Sequence, residues 1–289
     1  MAYNLVLNST NVSGNNNSQF IYTFLGSTLH IKPNSKICVS SVTIPYSFYN
    51  ITQIYNNLTF NFNWRVGTIT TNYLVTLPQG FYSVTDINNF LDQYMITNGM
   101  YLIDNNGNNV YYLQMVYNTT YYATQILSFA VPTSLPVGYT QPSNWLGYPS
   151  IANTPQLILS SNNFKNLLGF IAGTYPPTPQ TTNYSITSNA LPPIGSNVNA
   201  IIMTCNLVNN SCIVPSNILD SFPINAQFGS NISYQPSYEK KVLLNAGAYN
   251  NLVINFLDQN GNVLVSNDPN VSITLLIYPP EYKENLIGK

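Results

Sequence analysis

Ionisable side chains are nearly missing from this sequence: Lys and Arg together number 8 and Asp and Glu 9 in 289 residues, a charged fraction of 6% with a net charge of −1. A soluble domain usually carries about 25%. The shortage argues against nucleic acid as a partner, because neutralising phosphates takes clustered cations and only Lys240 and Lys241 adjoin one another. Histidine occurs once, in Leu29-His30-Ile31, and no Gly-x-Ser-x-Gly elbow accompanies it. His30 therefore reads as a strand-edge residue and not as a general base. Asp86, Asp92, Asp104, Asp220, Asp258 and Asp268 are dispersed, mostly at helix starts and turns where Asp serves the backbone. They are neither paired for glycoside hydrolysis nor clustered for calcium. No phosphate-cradling glycine loop occurs. The expectation is a non-enzyme with no catalytic residue, cofactor or metal.

The three cysteines, Cys38, Cys205 and Cys212, are odd in number and lack metal-ligand spacing, which fits reduced thiols; a Cys205–Cys212 bridge across a turn is the alternative. No apolar window approaches 18 residues, and the N-terminus has no cationic stretch leading into an apolar run. Neither a membrane span nor a signal peptide is expected, and synthesis is expected in the cytosol.

Asn, Ser, Thr, Gln and Tyr stand where charge is missing. AT-rich coding inflates Asn, Ile and Tyr, but it inflates Lys as well, and Lys is scarce, so the lack of charge reads as selected. A surface solvated by amides and hydroxyls repels copies of itself very little, and association is the expectation. Triplets such as Asn57-Leu58-Thr59 and Asn270-Val271-Ser272 arise by chance in Asn-rich sequence and are not read as glycosylation sites. The 23 tyrosines and two tryptophans are mostly core and sheet filler; exposed ones suit a protein interface or a glycan.

Strand signals recur from end to end. Leu58-Thr59-Phe60-Asn61-Phe62-Asn63-Trp64 alternates at period two, predicting a strand with Leu58, Phe60, Phe62 and Trp64 buried. Val271 to Leu275 repeats the pattern, Leu252 to Leu257 reads as a strand buried more on both faces, and Ile37 to Ile44 is a strand stopped by Pro45. Asp258-Gln259-Asn260-Gly261 and Asp104-Asn105-Asn106-Gly107 predict hairpin turns, since Asn-Gly favours positive φ. One helix begins at Ser83, where Ser83-Val84-Thr85-Asp86 offers a capping box. Its stripe is Val84, Ile87, Phe90 or Leu91, and Tyr94 or Met95, and Gly99 provides a stop. Asn163 to Gly169 is a weaker helix. Residues 131–197, with Pro176-Pro177-Thr178-Pro179 and Pro192-Pro193, read as a loop or insertion. Many short strands with one helix and no internal repeat predict an all-β fold, an antiparallel jelly-roll sandwich forming one domain over 1–289.

Ile44-Pro45-Tyr46-Ser47-Phe48-Tyr49-Asn50-Ile51 resembles a stretch of the penton, or minor capsid, proteins of virophages, Polinton-like elements and large DNA viruses. Leu77-Pro78-Gln79-Gly80-Phe81-Tyr82-Ser83, the Leu-Leu-Gly-Phe core Leu167-Leu168-Gly169-Phe170, Asn206-Leu207-Val208, Ser233-Tyr234-Gln235-Pro236 and the Asp258 hairpin follow in the family's order. The resemblance implies a virion location and a single jelly roll standing in the shell. It implies homopentamers at the icosahedral vertices and contact with the major capsid protein. It singles out Ile44, Pro45, Ser47, Asn50, Ile51, Pro78, Gly80, Tyr82, Leu168, Gly169 and Phe170 as structural or interface residues. Two alternatives share the composition: another minor or cement capsid protein, and a jelly-roll protein that binds a host receptor or glycan. The charged tail, Glu281 to Lys289, reads as a solvated terminus or a contact with neighbours.

Overall fold

The computed structural model describes residues 2–13, 17–24, 28–190 and 198–280; Pro192-Pro193 and the charged tail lie outside them. The chain divides into two compact units, Met1–Phe48 with Val198–Lys289, and Tyr49–Asn197. The first segment forms β1 (Tyr3–Leu7), β2 (Val12–Ser13), β3 (Gln19–Thr23), β4 (Leu29–Ile31) and β5 (Lys36–Pro45). The second unit forms β6 (Thr59–Val66), β7 (Ile69–Thr76), α1 (Val84–Thr97), β8 (Tyr101–Ile103), β9 (Asn109–Tyr111), β10 (Leu113–Asn118), β11 (Ala123–Ser128), β12 (Gln156–Leu159), α2 (Phe164–Leu168), β13 (Gly173–Tyr175) and β14 (Tyr184–Thr187). Back in the first unit come β15 (Ala200–Cys205), β16 (Ile218–Pro223), β17 (Asn231–Tyr234), β18 (Val242–Leu243), β19 (Gly247–Tyr249), β20 (Asn251–Asp258) and β21 (Ser272–Tyr278).

The first unit is a jelly roll by strand order. One sheet runs β1-β21-β5-β17 and the other β16-β15-β20-β3, with β2 beyond β3, and the pairings are antiparallel. Taking β1, β3, β5, β15, β16, β17, β20 and β21 as first to eighth, the sheets read 1-8-3-6 and 5-4-7-2, the double Greek key of that fold. Alternation sets the inward face: Leu252, Ile254 and Phe256 of β20 are buried while Val253 and Leu257 are half-buried. From Leu252 to Leu257 neither face is open, although a sandwich covers one face of each sheet more fully than the other. On β5 a bulge at the Thr274/Leu275 step of its partner β21 shifts the alternation, so Ile37 and Val39 before it and Val42 and Ile44 after it are all buried. Across the sandwich, Phe222 of β16 stacks on Tyr234 of β17 with ring centroids 4.6 Å apart.

The second unit interrupts the jelly roll between its third and fourth strands. Its main sheet runs β13-β12-β6-β7, and β10-β11-β14 form a second. The predicted period-two strand is β6, burying Phe60, Phe62 and Trp64, each worth about 2 kcal/mol in apolar burial. Ser83 caps α1 through the expected box: its Oγ accepts the Asp86 N–H at 3.1 Å and Asp86 accepts the Ser83 N–H at 2.8 Å. Ile87, Leu91 and Met95 bury the helix, and Phe62 meets Tyr94 edge-on at 5.9 Å.

Residues 131–197, read as a loop or insertion and not as core, do supply core: Leu157 and Leu159 of β12 and Phe164, Leu167 and Leu168 of α2 are buried with Trp64 and Met95. Gln156-Leu157-Ile158-Leu159 is too short for periodicity to stand out, yet β6 and β13 flank it on either side.

Candidate assembly interface

Of the residues singled out by resemblance, Ile44, Pro45 and Ser47 belong to the first unit, and Asn50, Ile51, Pro78, Gly80, Tyr82, Leu168, Gly169 and Phe170 belong to the second. Ile44 and Pro45 end β5 opposite Ile232 and Asn231. Ser47 Oγ accepts the N–H groups of Asn267 at 3.1 Å and Asp268 at 3.0 Å and lies 2.9 Å from Ser266 Oγ. In the second unit the Asn50 amide acts like a strand residue: Oδ1 accepts the Tyr82 N–H and Nδ2 donates to the Tyr82 carbonyl, both at 2.8 Å. Ile51 and Gly80 exchange backbone bonds of 3.0 Å. The fold thus brings Asn50, Ile51, Gly80 and Tyr82 together. A side chain on Gly80 would meet Tyr82 Cε2 at 2.7 Å, and burial raises the Tyr82 phenol above its usual range. Gly169 ends α2 at φ +74°, a turn that favours glycine, between the buried Leu168 and Phe170. Pro78 is exposed.

Most of the charge in the described residues is committed to the chain's own turns, caps and ion pairs. Asp268 accepts the Asn270 N–H at 2.9 Å, Arg65 Nε donates to the Gly67 carbonyl at 3.3 Å, and Lys165 Nζ donates to the Ser161 and Asn162 carbonyls at 3.2 Å each. Lys240 pairs with Asp220 at 3.0 Å and Lys241 with Glu239 at 2.9 Å. His30 is exposed on β4 opposite Ala248. The three thiols are free, Cys38 and Cys205 buried and Cys212 exposed, which answers the alternative of a Cys205–Cys212 bridge. Burial pushes the Cys205 thiol up to about 12, so it stays protonated. No group of three or more His, Cys, Asp or Glu that could hold a metal occurs among the described residues, and no helix among them is long and apolar enough to cross a membrane.

Amides take over where ions are absent. On the outer face of β7-β6-β12, Asn61 Nδ2 donates to Asn72 Oδ1 (2.7 Å), Asn72 Nδ2 to Asn63 Oδ1 (3.0 Å), Asn63 Nδ2 to Gln156 Oε1 (3.1 Å) and Gln156 Nε2 to the Pro176 carbonyl (3.0 Å). Asn72, Asn63 and Gln156 each both donate and accept, so the relay runs without charge. The sequence signal was the polar half of Phe-Asn-Phe-Asn-Trp; its partners Asn72 and Gln156 were invisible until β7 and β12 paired with β6.

Two of the sheet margins are equally uncharged. β7, Ile-Thr-Thr-Asn-Tyr-Leu-Val-Thr, is an end strand of its sheet, with Ile69 69% and Leu74 55% exposed. β1, Tyr-Asn-Leu-Val-Leu, is an end strand of the jelly roll and exposes Tyr3 and Val6. Neither strand carries Lys, Glu or Pro, the residues that normally keep an open edge from pairing with another chain.

No protein-family model matches this chain, and no curated protein matches it. Two solved structures are similar over nearly its whole length. The mavirus penton protein has 9% identity and a TM-score of 0.47, with 96% of this chain and 98% of that chain covered. A chain of the Sputnik virophage structure has 14% identity and a TM-score of 0.36, with 96% and 97% covered.

Proposed function

We propose that this protein is a structural subunit of a virus shell, a penton that closes into homopentamers at the vertices and contacts the major capsid protein there. The observation that carries the reading is the pairing of a jelly roll with uncharged, unguarded edge strands in both units. A five-fold ring needs two different patches on each copy that meet head to tail. Edges and faces satisfied by amides and hydroxyls can meet a neighbour without desolvating ions, which is the costly part of a buried contact. No catalytic role is assigned.

The test is the size of the purified full-length chain by light scattering and electron microscopy, alone and mixed with the major capsid protein. Five-membered rings, lost when Leu74→Lys or Val6→Lys places a charge on an edge while circular dichroism is unchanged, are the expected result. A chain that stays monomeric in the presence of its shell partner, or rings indifferent to both substitutions, would overturn it.

A further inference from the structure

The β10–β11 hairpin carries three tyrosines near its tip, Tyr117, Tyr121 and Tyr122. Tyr121 is 67% and Tyr122 47% exposed, and the rings of Tyr117 and Tyr122 meet edge-on at 6.2 Å. Asn118 Oδ1 shapes the turn by accepting the N–H groups of Thr120 and Tyr121 at 3.0 and 3.2 Å. Tyr122 has φ +52°, a left-handed conformation that strains a bulky residue; among the described residues, the other positive-φ positions without glycine hold Asn17, Asn34 and Asn56. Asn or Gly would build this turn at lower cost, so the turn keeps Tyr122 for its ring.

Beside the tip opens a groove of about 470 Å³ lined by Tyr121, Ala123, Thr187, Ser188, Asn189 and Ala190, within the range of ligand sites, about 300–1,000 Å³. Ser188 Oγ accepts the Thr124 N–H at 3.2 Å and donates to the Ala190 carbonyl at 2.9 Å, which fixes the wall of the groove. The Thr187 hydroxyl accepts from Gln125 at 3.2 Å and keeps its own proton to donate. The lining joins an exposed aromatic face, two small apolar residues and uncharged hydroxyl and amide groups.

We infer that this groove binds a neutral saccharide, with the apolar face of a pyranose against Tyr121 and sugar hydroxyls paired with Thr187 and Asn189. An anionic ligand is disfavoured because no cation is among the described residues that line the site, and a purely apolar one because of the hydroxyl rim. The inference goes beyond the shell reading and is tested separately from it: Leu74→Lys, which is aimed at assembly, is expected to leave saccharide binding intact.

The experiment applies the full-length protein to an array of neutral and sialylated oligosaccharides, then follows the best neutral disaccharide by saturation-transfer NMR. Tyr121→Ala is expected to weaken binding by about ten-fold or more, whereas Tyr238→Ala, at an exposed tyrosine of the other unit, leaves it unchanged. Binding to no neutral glycan, preference for sialylated ones, or binding that survives Tyr121→Ala each overturns the inference.

Discussion

Asp104 and Asp258, in different units, hold their Asn-Gly turns by the same set of hydrogen bonds. Oδ1 of Asp104 accepts the N–H groups of Asn106 (2.9 Å) and Asn108 (2.8 Å) and its Oδ2 the Asn108 side chain (3.3 Å). Asp258 repeats this with Asn260 and Asn262 at 2.8, 2.8 and 3.0 Å. Gly107 and Gly261 take φ of +84° and +81° in the two turns. Carboxylates are scarce in this chain, and these two brace backbone.

Asp258→Ala leaves those three donors without their acceptor beside a buried strand end and is expected to cost about 2 kcal/mol, read as a lower midpoint in urea. Asp104→Ala opens its exposed hairpin locally, seen as faster amide exchange at Asn106 and Asn108. The Asn108 N–H holds the Asp104 carboxyl below its ordinary value near 3.8. Its contribution is therefore present above that value and lost as pH falls through the lower folded one. An Asp104 carboxyl that titrates by NMR above 3.8 contradicts this.

Asp92 on α1 has the opposite sign. Burial pushes its carboxyl up from 3.8 to about 6, and its Oδ1 lies buried without a hydrogen-bond partner while Oδ2 accepts from Asn88 at 3.0 Å. A raised acid stabilises the fold in full below about 3.8 and loses that contribution as pH rises through about 6. Asp92→Asn should melt about 2–4 °C above the parent at pH 8 and match it at pH 4. Equal melting curves at both pH values refute the assignment.

Asn50→Ala removes both bonds to the Tyr82 backbone at a buried position. The expected cost is about 2 kcal/mol, with amide protection lost first at Tyr82 and Ile51. Asn50→Asp keeps the acceptor but not the donor and should fall between. If exchange rises elsewhere instead, the amide does not join these segments.

Lys240 donates to Asp220 and to the Tyr234 hydroxyl, both at 3.0 Å, and Tyr234 donates to Asp220 at 2.8 Å. The Tyr234 hydroxyl, and then the Asp220 carboxylate, raise the Lys240 ammonium above its usual range. Lys240→Met leaves Asp220 buried with its countercharge gone. Because the Lys240 side chain is 37% exposed, solvent screens part of the pair and the expected loss is about 2 kcal/mol, below that of a fully buried one. The double change Asp220→Asn with Lys240→Met should recover most of it; losses that simply add would mean the two do not interact.

What the sequence determined by itself was local. The period-two strand at Phe60 to Trp64, the capping box at Ser83, the Asp104 and Asp258 turns and the glycine stop at Gly99 rest on groups a few residues apart, and their hydrogen bonds are written in the order of the residues. The scarcity of charge was equally legible, and with it the expectation of an amide-clad β protein. Tertiary structure alone decided that Gln156 to Leu159 lies inside a sheet, that the second unit interrupts the jelly roll after β5, that Asn72 and Gln156 complete the relay begun by Asn61 and Asn63, and that Tyr121 borders a groove with Thr187. Those relationships join residues far apart in the chain, and their partners are chosen by how the whole set of apolar faces can be covered at once, a condition no short window of sequence contains.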